Sequence, residues 1–250
     1  MMKLRIATYN IAAGLSCGYF QKKDYRISAD IIKGIDADII GLNEVGKPLP
    51  KDITDHAEFI ANHCGYKHFI FGQATLYGNS PYGNAILSKF PIEKSDVYQI
   101  KERKQILPGI YEPRCIISSH ILCGITIRII CTHLGLFHDE QKRGINQICD
   151  IAKQENIPTI FMGDLNTCCN ERILKPIKEL VKDVCEIRNA DTKTFPSNNP
   201  RTRLDYIFVT DDIRVNNVYT VKKIGSDHLP LVTEIEINCT HKRYNRHKKG

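Results

Sequence analysis

A set of polar residues spread over the chain could do chemistry together: Asn10, Glu44, His133, Asp164, Asn166, Asp205, Asp227 and His228. Each stands near the end of an apolar, β-rich run or in the loop that follows one. An acid at the end of a buried strand costs desolvation unless a cation or an arginine partners it. Oxygen-type ligands without a cysteine suit a hard cation, Mg²⁺ or Mn²⁺, rather than zinc. Two histidines beside carboxylates suit proton transfer and charge stabilisation near neutral pH. Combined, these groups suit attack of water on a phosphoester. A structural Ca²⁺ held by acid-rich loops is the competing reading of the same residues.

The stretch Pro158 to Thr167 anchors this set. Ile160-Phe-Met162 runs into Gly163, then Asp164 and Asn166. An apolar strand delivering a carboxylate and an amide to its C-terminal end is where α/β proteins place their chemistry. Asp164 and Asn166 are two apart, so an extended backbone points both to one side. Taken alone, Gly-Asp and Asn are ordinary turn residues. The recurrence of the pattern at Asn10, Glu44, His133 and Asp205 favours chemistry.

The elements that must position these groups are mostly strands. Leu4 to Asn10, Asp38 to Glu44, Tyr66 to Phe71, Tyr82 to Ser88, Ile92 to Ile100, Arg114 to Ile121, Ile125 to Thr132, Leu204 to Val209, Val215 to Val221 and Leu231 to Ile237 are expected strands. Helical spacing of apolar residues predicts helices over Asp24 to Lys33, Asp55 to Cys64, Asp139 to Gln154 and Asn170 to Val181, the last broken at Pro176. Gln73 to Pro81 and Asp191 to Arg203 are expected loops, and Lys101 to Lys104 a solvated hairpin tip. No repeat or linker interrupts residues 1–238. Two packed sheets with outer helices in one domain follow.

The chain has 250 residues, 42% hydrophobic and 25% charged, enough for a sizeable core. No apolar run approaches the roughly 20 residues of a membrane span. The start matches a strand rather than a signal peptide, so a cytoplasmic protein is expected. The ten cysteines show no Cys-x-x-Cys pair and sit largely in strand-like runs, which implies reduced, mostly buried thiols. Five of the seven net positive charges fall within the last ten residues, leaving 7 − 5 = +2 for the rest. Residues 239–250 are thus expected to be a basic, disordered tail, able to touch nucleic acid or an anionic surface.

Tyr9-Asn10, Leu42-Asn-Glu44, Tyr82-Gly-Asn84, Thr132-His133, Gly163-Asp-Leu-Asn166, Leu204-Asp-Tyr206 and Ser226-Asp-His228 resemble, in order, the motif set of the endonuclease/exonuclease/phosphatase superfamily, the DNase I-like metal-dependent phosphoesterases. The resemblance covers residues 9 to 228. It implies a four-layer α/β sandwich of two mostly antiparallel sheets flanked by helices, with Mg²⁺ (or Mn²⁺) in a cleft at one end. It implies Glu44 as metal ligand, with Asn10 and Asp227 beside the ion. By the same resemblance, Asp164 orients or activates the attacking water and Asn166 contacts the phosphate or the water. His228 is the base or stabilises the pentacovalent phosphorus, Asp205 holds its ring, and His133 contacts the phosphate and assists the leaving group. Asn84 as a brace for His133, and Arg114 facing the phosphate, complete the expected site.

The departures from individual families narrow the substrate. Arg201-Thr-Arg203 stands where abasic-site endonucleases carry a tryptophan, and the chain has no tryptophan. The Trp-Cys-Asp-Arg motif of inositol polyphosphate phosphatases is absent. Thr194-Phe-Pro-Ser197 looks like the compact, uncharacterised hydrolases of the superfamily. The expected activity is a phosphodiesterase or phosphatase, monomeric, acting on a small or lipid-like phosphoester or on single-stranded nucleic acid. A DNA or RNA nuclease using Arg201, Arg203, Lys222, Lys223 and the tail is the alternative of like chemistry. A non-catalytic binding module of the same fold is the alternative of another class.

Overall fold

The computed structural model describes residues 1–14, 24–46, 56–100, 112–168 and 172–238. Among the described residues, twelve strands form two six-stranded sheets. The first sheet contains β1 (Met2–Asn10), β2 (Ile39–Gly46), β3 (His68–Tyr77), β4 (Ser80–Ser88), β11 (Ile213–Thr220) and β12 (Leu231–Ile237), in the order β11-β12-β1-β2-β4-β3. The second contains β5 (Ile92–Gln99), β6 (Cys115–Leu122), β7 (Thr126–His133), β8 (Thr159–Asp164), β9 (Lys182–Asp183) and β10 (Asp205–Val209), in the order β5-β6-β7-β8-β10-β9. Each sheet is antiparallel except for one pair, β1 with β2 and β7 with β8. The α-helices among the described residues are α1 (Tyr25–Ile35), α2 (His56–Cys64), α3 (His138–Ala152), α4 (Lys175–Lys178) and α5 (Val184–Arg188).

Strand alternation explains the layering. On β1, Leu4 and Ile6 point between the sheets and pack with Ile129, Ile160, Met162 and Ile207 of the other. Ala7 and Tyr9 face the opposite way, against Ile32 of α1 and Ile60 of α2. In the second sheet Ile130, Phe161 and Phe208 meet Ile145 and Ile148 of α3 and Ile177 of α4. Strands buried on both faces carry continuous apolar runs, as here. The sheets approach so closely at Gly41 that a Cβ there would lie 2.7 Å from Met162 Sδ and 2.9 Å from Cys131 Sγ.

Two expectations for the elements are corrected. Gln73 to Pro81 is not a loop: β3 continues to Tyr77, turns at Gly78 and Asn79, and returns as β4 from Ser80. Its polar residues lie on a two-stranded extension, where neither face demands an apolar run. Of the expected 170–181 helix, a 3₁₀ turn (Arg172–Leu174) and the four-residue α4 are seen, with Pro176 in that short helix. The unexpected α5 is capped by Asp183, whose carboxylate accepts from Cys185 N, and ends on left-handed Asn189. The hairpin tip over Lys101 to Lys104 and the basic tail lie outside the described residues. Among the seven described cysteines none is in a disulfide. No helix among the described residues is long and apolar enough to cross a membrane.

Candidate active site

The parallel pairs place the polar residues. Asn10 ends β1 directly beside Asn43 of β2. His133 ends β7 beside Asp164, which ends β8, and Asp205 opens β10 on the other side of Asp164. Pairing register alone therefore sets Asp164 between His133 and Asp205. Since the two sheets are packed face to face, their strand ends share one edge of the sandwich.

Local backbone strain turns three of these ends into the cleft. Glu44 has φ 57° and Asn166 φ 50°, values uncommon outside glycine and enriched at functional sites. At Glu44 the pairing of β2 with β4 slips between Leu42 and Val45, and this bulge re-aims the carboxylate. Tyr25 Oη donates to Gly46 O at 2.7 Å and pins that bend. Gly163 sits at φ +143°, where a Cβ would be 1.8 Å from Thr132 O, so only glycine lets β8 deliver Asp164 next to β7.

Asn10 Nδ2 bridges the sheets, donating to Glu44 Oε1 at 3.0 Å and to Asp164 Oδ2 at 2.9 Å. Its Oδ1 accepts from Ala12 N at 3.0 Å, which fixes the amide's direction. Asp164 Oδ1 accepts from Asn166 N at 2.9 Å. Asp205 Oδ2 lies 2.7 Å from His228 Nδ1, and Phe195 packs against the same imidazole with ring centroids 5.0 Å apart. His228 Nε2 and His133 Nε2 each lie 3.6 Å from Asp164 Oδ2. Ser226 Oγ donates to Asn10 O at 2.7 Å and receives His228 N, tying the His228 loop to β1. Asp227 is half-buried, and its Oδ1 is 3.1 Å from Ser226 Oγ.

Burial and charge set the protonation. Burial drives the Asp164 carboxyl upward; His228 opposes this and Asp205 adds to it, leaving it at about 7. Burial works against the His228 cation, but Asp205 and then Asp164 outweigh it and hold the imidazolium up to about 10. Near neutral pH His228 is therefore charged while Asp164 is able to exchange a proton.

A hard cation suits this cluster chemically. The ionisable groups are carboxylates and imidazoles, no thiol joins them, and Asp205 Oδ1 is buried without a hydrogen-bond partner. Asp164, Asp205 and His228 bring ligand-type atoms within 4.8 Å of one another. His228 Nδ1 is engaged by Asp205, so this trio is a hydrogen-bonded pair beside a carboxylate. Glu44, half-buried with Oε1 3.0 Å from Asn10 Nδ2, adds a further carboxylate at the same edge.

The other expected contacts differ. Asn84 is buried away from the histidine, accepting from Asn43 Nδ2 at 2.9 Å and donating to Cys115 O at 3.0 Å. The brace on His133 is Arg114, whose Nη1 is 2.7 Å from His133 Nδ1. Arg203 is held by Asp183 through two hydrogen bonds of 2.9 and 2.5 Å, so it is not free to track a phosphate backbone. Sequence reasoning gives no role to Asn43, although it stands inside the Leu42-Asn-Glu44 motif. Asn43 Oδ1 receives Asp164 N at 2.9 Å, and its Nδ2 donates to Thr132 O and Asn84 Oδ1. An asparagine inside a fully buried strand is the signal that could have found it.

The model of the endonuclease/exonuclease/phosphatase family matches residues 7–228. The chain belongs to this family. It is 26% identical over 227 residues to the Escherichia coli (strain K12) protein named "Uncharacterized protein YbhP", covering 83% of this chain and 87% of that one. An endonuclease/exonuclease/phosphatase structure from Beutenbergia cavernae superposes with a TM-score of 0.77 at 21% identity, over 94% of this chain and 72% of that one. A mannosyl-6-phosphatase from Bacteroides thetaiotaomicron superposes with a TM-score of 0.71 at 18% identity, over 94% and 100%. These two structures share the DNase I-like fold with this chain, and the family's members are hydrolases of phosphoester bonds.

Proposed function

We propose that this chain is a Mg²⁺-dependent phosphoesterase that cleaves a phosphodiester or phosphomonoester by attack of water. The observation that carries this reading is a single atom. Asp164 Oδ2 is buried, receives Asn10 Nδ2, and lies 3.6 Å from both His133 Nε2 and His228 Nε2. Asp164, poised near neutrality and oriented by Asn166 N, orients the water and takes its proton. His228, charged and turned by Asp205, offsets the negative charge that grows on the phosphoryl oxygens. His133 and Asn166 contact the phosphate from the other side, toward the leaving group. Glu44 and Asp227 would hold the cation, with Asn10 beside it fixing the Glu44 carboxylate through Nδ2, and the bound ion would neutralise phosphoryl charge. The substrate is a small or lipid-like phosphoester or single-stranded nucleic acid.

The test is release of nitrophenol from bis-p-nitrophenyl phosphate and from p-nitrophenyl phosphate, with Mg²⁺, with Mn²⁺ and with EDTA, beside Asp164→Ala. Metal-dependent release that vanishes in the mutant supports the reading. The preferred ester separates phosphodiesterase or nuclease from phosphatase. Silence on both, with no thermal shift on adding metal, would move the reading to a binding module.

A further inference from the structure

The two histidines of the cleft are wired differently. His228 Nδ1 faces a carboxylate, Asp205. His133 Nδ1 faces a guanidinium: Arg114 Nη1 lies 2.7 Å from it. An arginine carries five N–H donors, no acceptor, and keeps its proton in proteins. Whatever stands 2.7 Å from Nη1 must accept, so His133 Nδ1 bears no hydrogen. A neutral ring then carries its hydrogen on Nε2, the nitrogen 3.6 Å from Asp164 Oδ2. Asn166 Nδ2, at 2.9 Å from the same Nε2, also donates to Leu134 O. That amide can adapt, though only by giving up its bond to Leu134 O, because half a turn about its terminal bond offers Oδ1 in place of Nδ2. The guanidinium cannot.

Arg114 is itself set by a chain of contacts. Its Nη2 lies 2.8 Å from Glu112 Oε2, and Tyr77 Oη donates to Glu112 Oε1. Glu112 and Arg114 flank Pro113, and on an extended backbone residues two apart share a side. Arg114 is 9% exposed, while Tyr77 closes β3 at the tip of the β3–β4 hairpin. Burial and the Glu112 carboxylate push the Tyr77 phenol up to about 12, so it remains a donor. The hairpin tip, the segment before β6 and the end of β7 are thereby joined at the imidazole.

We propose that His133 acts as a neutral histidine whose Nδ1 is held as an acceptor by Arg114, leaving Nε2–H to be donated to a phosphoryl oxygen, and that Tyr77 and Glu112 hold Arg114 in this role. The phosphoryl acceptor rests on the phosphoesterase reading; the wiring of the ring does not. Arg114, Glu112 and Tyr77 are positioning residues, and His133 is the group that touches substrate. The cleft then divides its labour between a charged histidine on one side of Asp164 and a neutral donor on the other.

The experiment is ¹⁵N NMR of the histidine rings in the full, metal-free chain, with His133→Gln to assign the signals. The wild type at about pH 7 is expected to show His133 with Nδ1 unprotonated and Nε2 protonated. A His133 imidazolium, or the tautomer with hydrogen on Nδ1, overturns the proposal. In Arg114→Gln, which can accept as well as donate, the Nδ1–H form or an imidazolium is expected to appear. Glu112→Gln is expected to move the ring the same way to a smaller extent, and it decides the relay if the arginine variant does not fold. A His133 spectrum unchanged by both substitutions overturns the assignment to Arg114. Neither readout needs turnover, so failure here is separate from failure of the phosphoesterase reading.

Discussion

His228 Nδ1 lies 2.7 Å from Asp205 Oδ2, and both side chains are buried. The pair spans the β10 start and the loop before β12, two segments joined by no strand pairing at that point. Asp205, and after it Asp164, keeps the imidazolium charged up to about 10 against the cost of burial. Asp205→Asn keeps the shape and removes the charge. It is expected to lower kcat by about a hundredfold or more while leaving the fold intact. Steady-state kinetics with circular dichroism would check this; a folded variant with wild-type kcat would remove His228 from the charge-stabilising role.

Acidity should reveal Asp164. Its folded-state value, raised by burial to about 7, exceeds that of an unfolded carboxyl, near 4. The native state thus holds a proton the unfolded chain releases, and stability falls as pH climbs from about 4 through about 7. His228, raised to about 10, stabilises fully below its unfolded value of about 6.5 and loses that contribution as pH rises through about 10. Both slopes run the same way in metal-free protein. Tm in EDTA is therefore expected to be higher at about pH 5.5 than at about pH 8.5, and Asp164→Asn should flatten the lower part of the slope. An equal slope in that variant would assign the acid-side effect to another group.

Much of the site is legible in the sequence, because strands buried on both faces write themselves as apolar runs and a polar residue at such an end stands out. Glu44, His133, Asp164 and Asp205 all show themselves in that way. What stays hidden depends on pairing across the chain. Arg114 meets His133 through the β6–β7 register, in which Ile116 lies opposite Thr132, and no local pattern announces it. Asn43 reaches Thr132, 89 positions away, across the gap between the sheets. The β3–β4 extension reads as a loop because a two-stranded ribbon outside the main core lacks the alternation that marks a half-buried strand.

Asn43 is a buried hub for polar backbone. Its side chain serves Asp164 N, Thr132 O and Asn84 Oδ1. Asn43→Ala leaves these without their partner, at about 1–3 kcal/mol for each buried group that stays unsatisfied. The expected loss is about 3 kcal/mol or more, since a water-sized void would satisfy only part of the set. Urea unfolding of the variant measures it. A loss under about 1 kcal/mol would mean that the ends of β2 and β8 are held together by packing alone.

The proposed cation site at Glu44 can be tested separately from catalysis. A ligand that binds the native state alone stabilises it by about 2.7 kcal/mol at a concentration a hundredfold above its Kd. Mg²⁺ is expected to raise the Tm of the wild type, and at about pH 6 to do so beyond the effect of NaCl at equal ionic strength, because a cation in the cleft favours the ionised form of Asp164. Glu44→Gln removes one negative charge while preserving the side chain's size, and its Asn10 contact can persist through Oε1. That variant should lose most of the Mg²⁺-induced shift but unfold near the wild-type temperature in EDTA. If the shift survives in Glu44→Gln and disappears in Asp205→Asn, the ion sits instead among Asp164, Asp205 and His228, and the hydrogen bond between Asp205 and His228 must open to receive it.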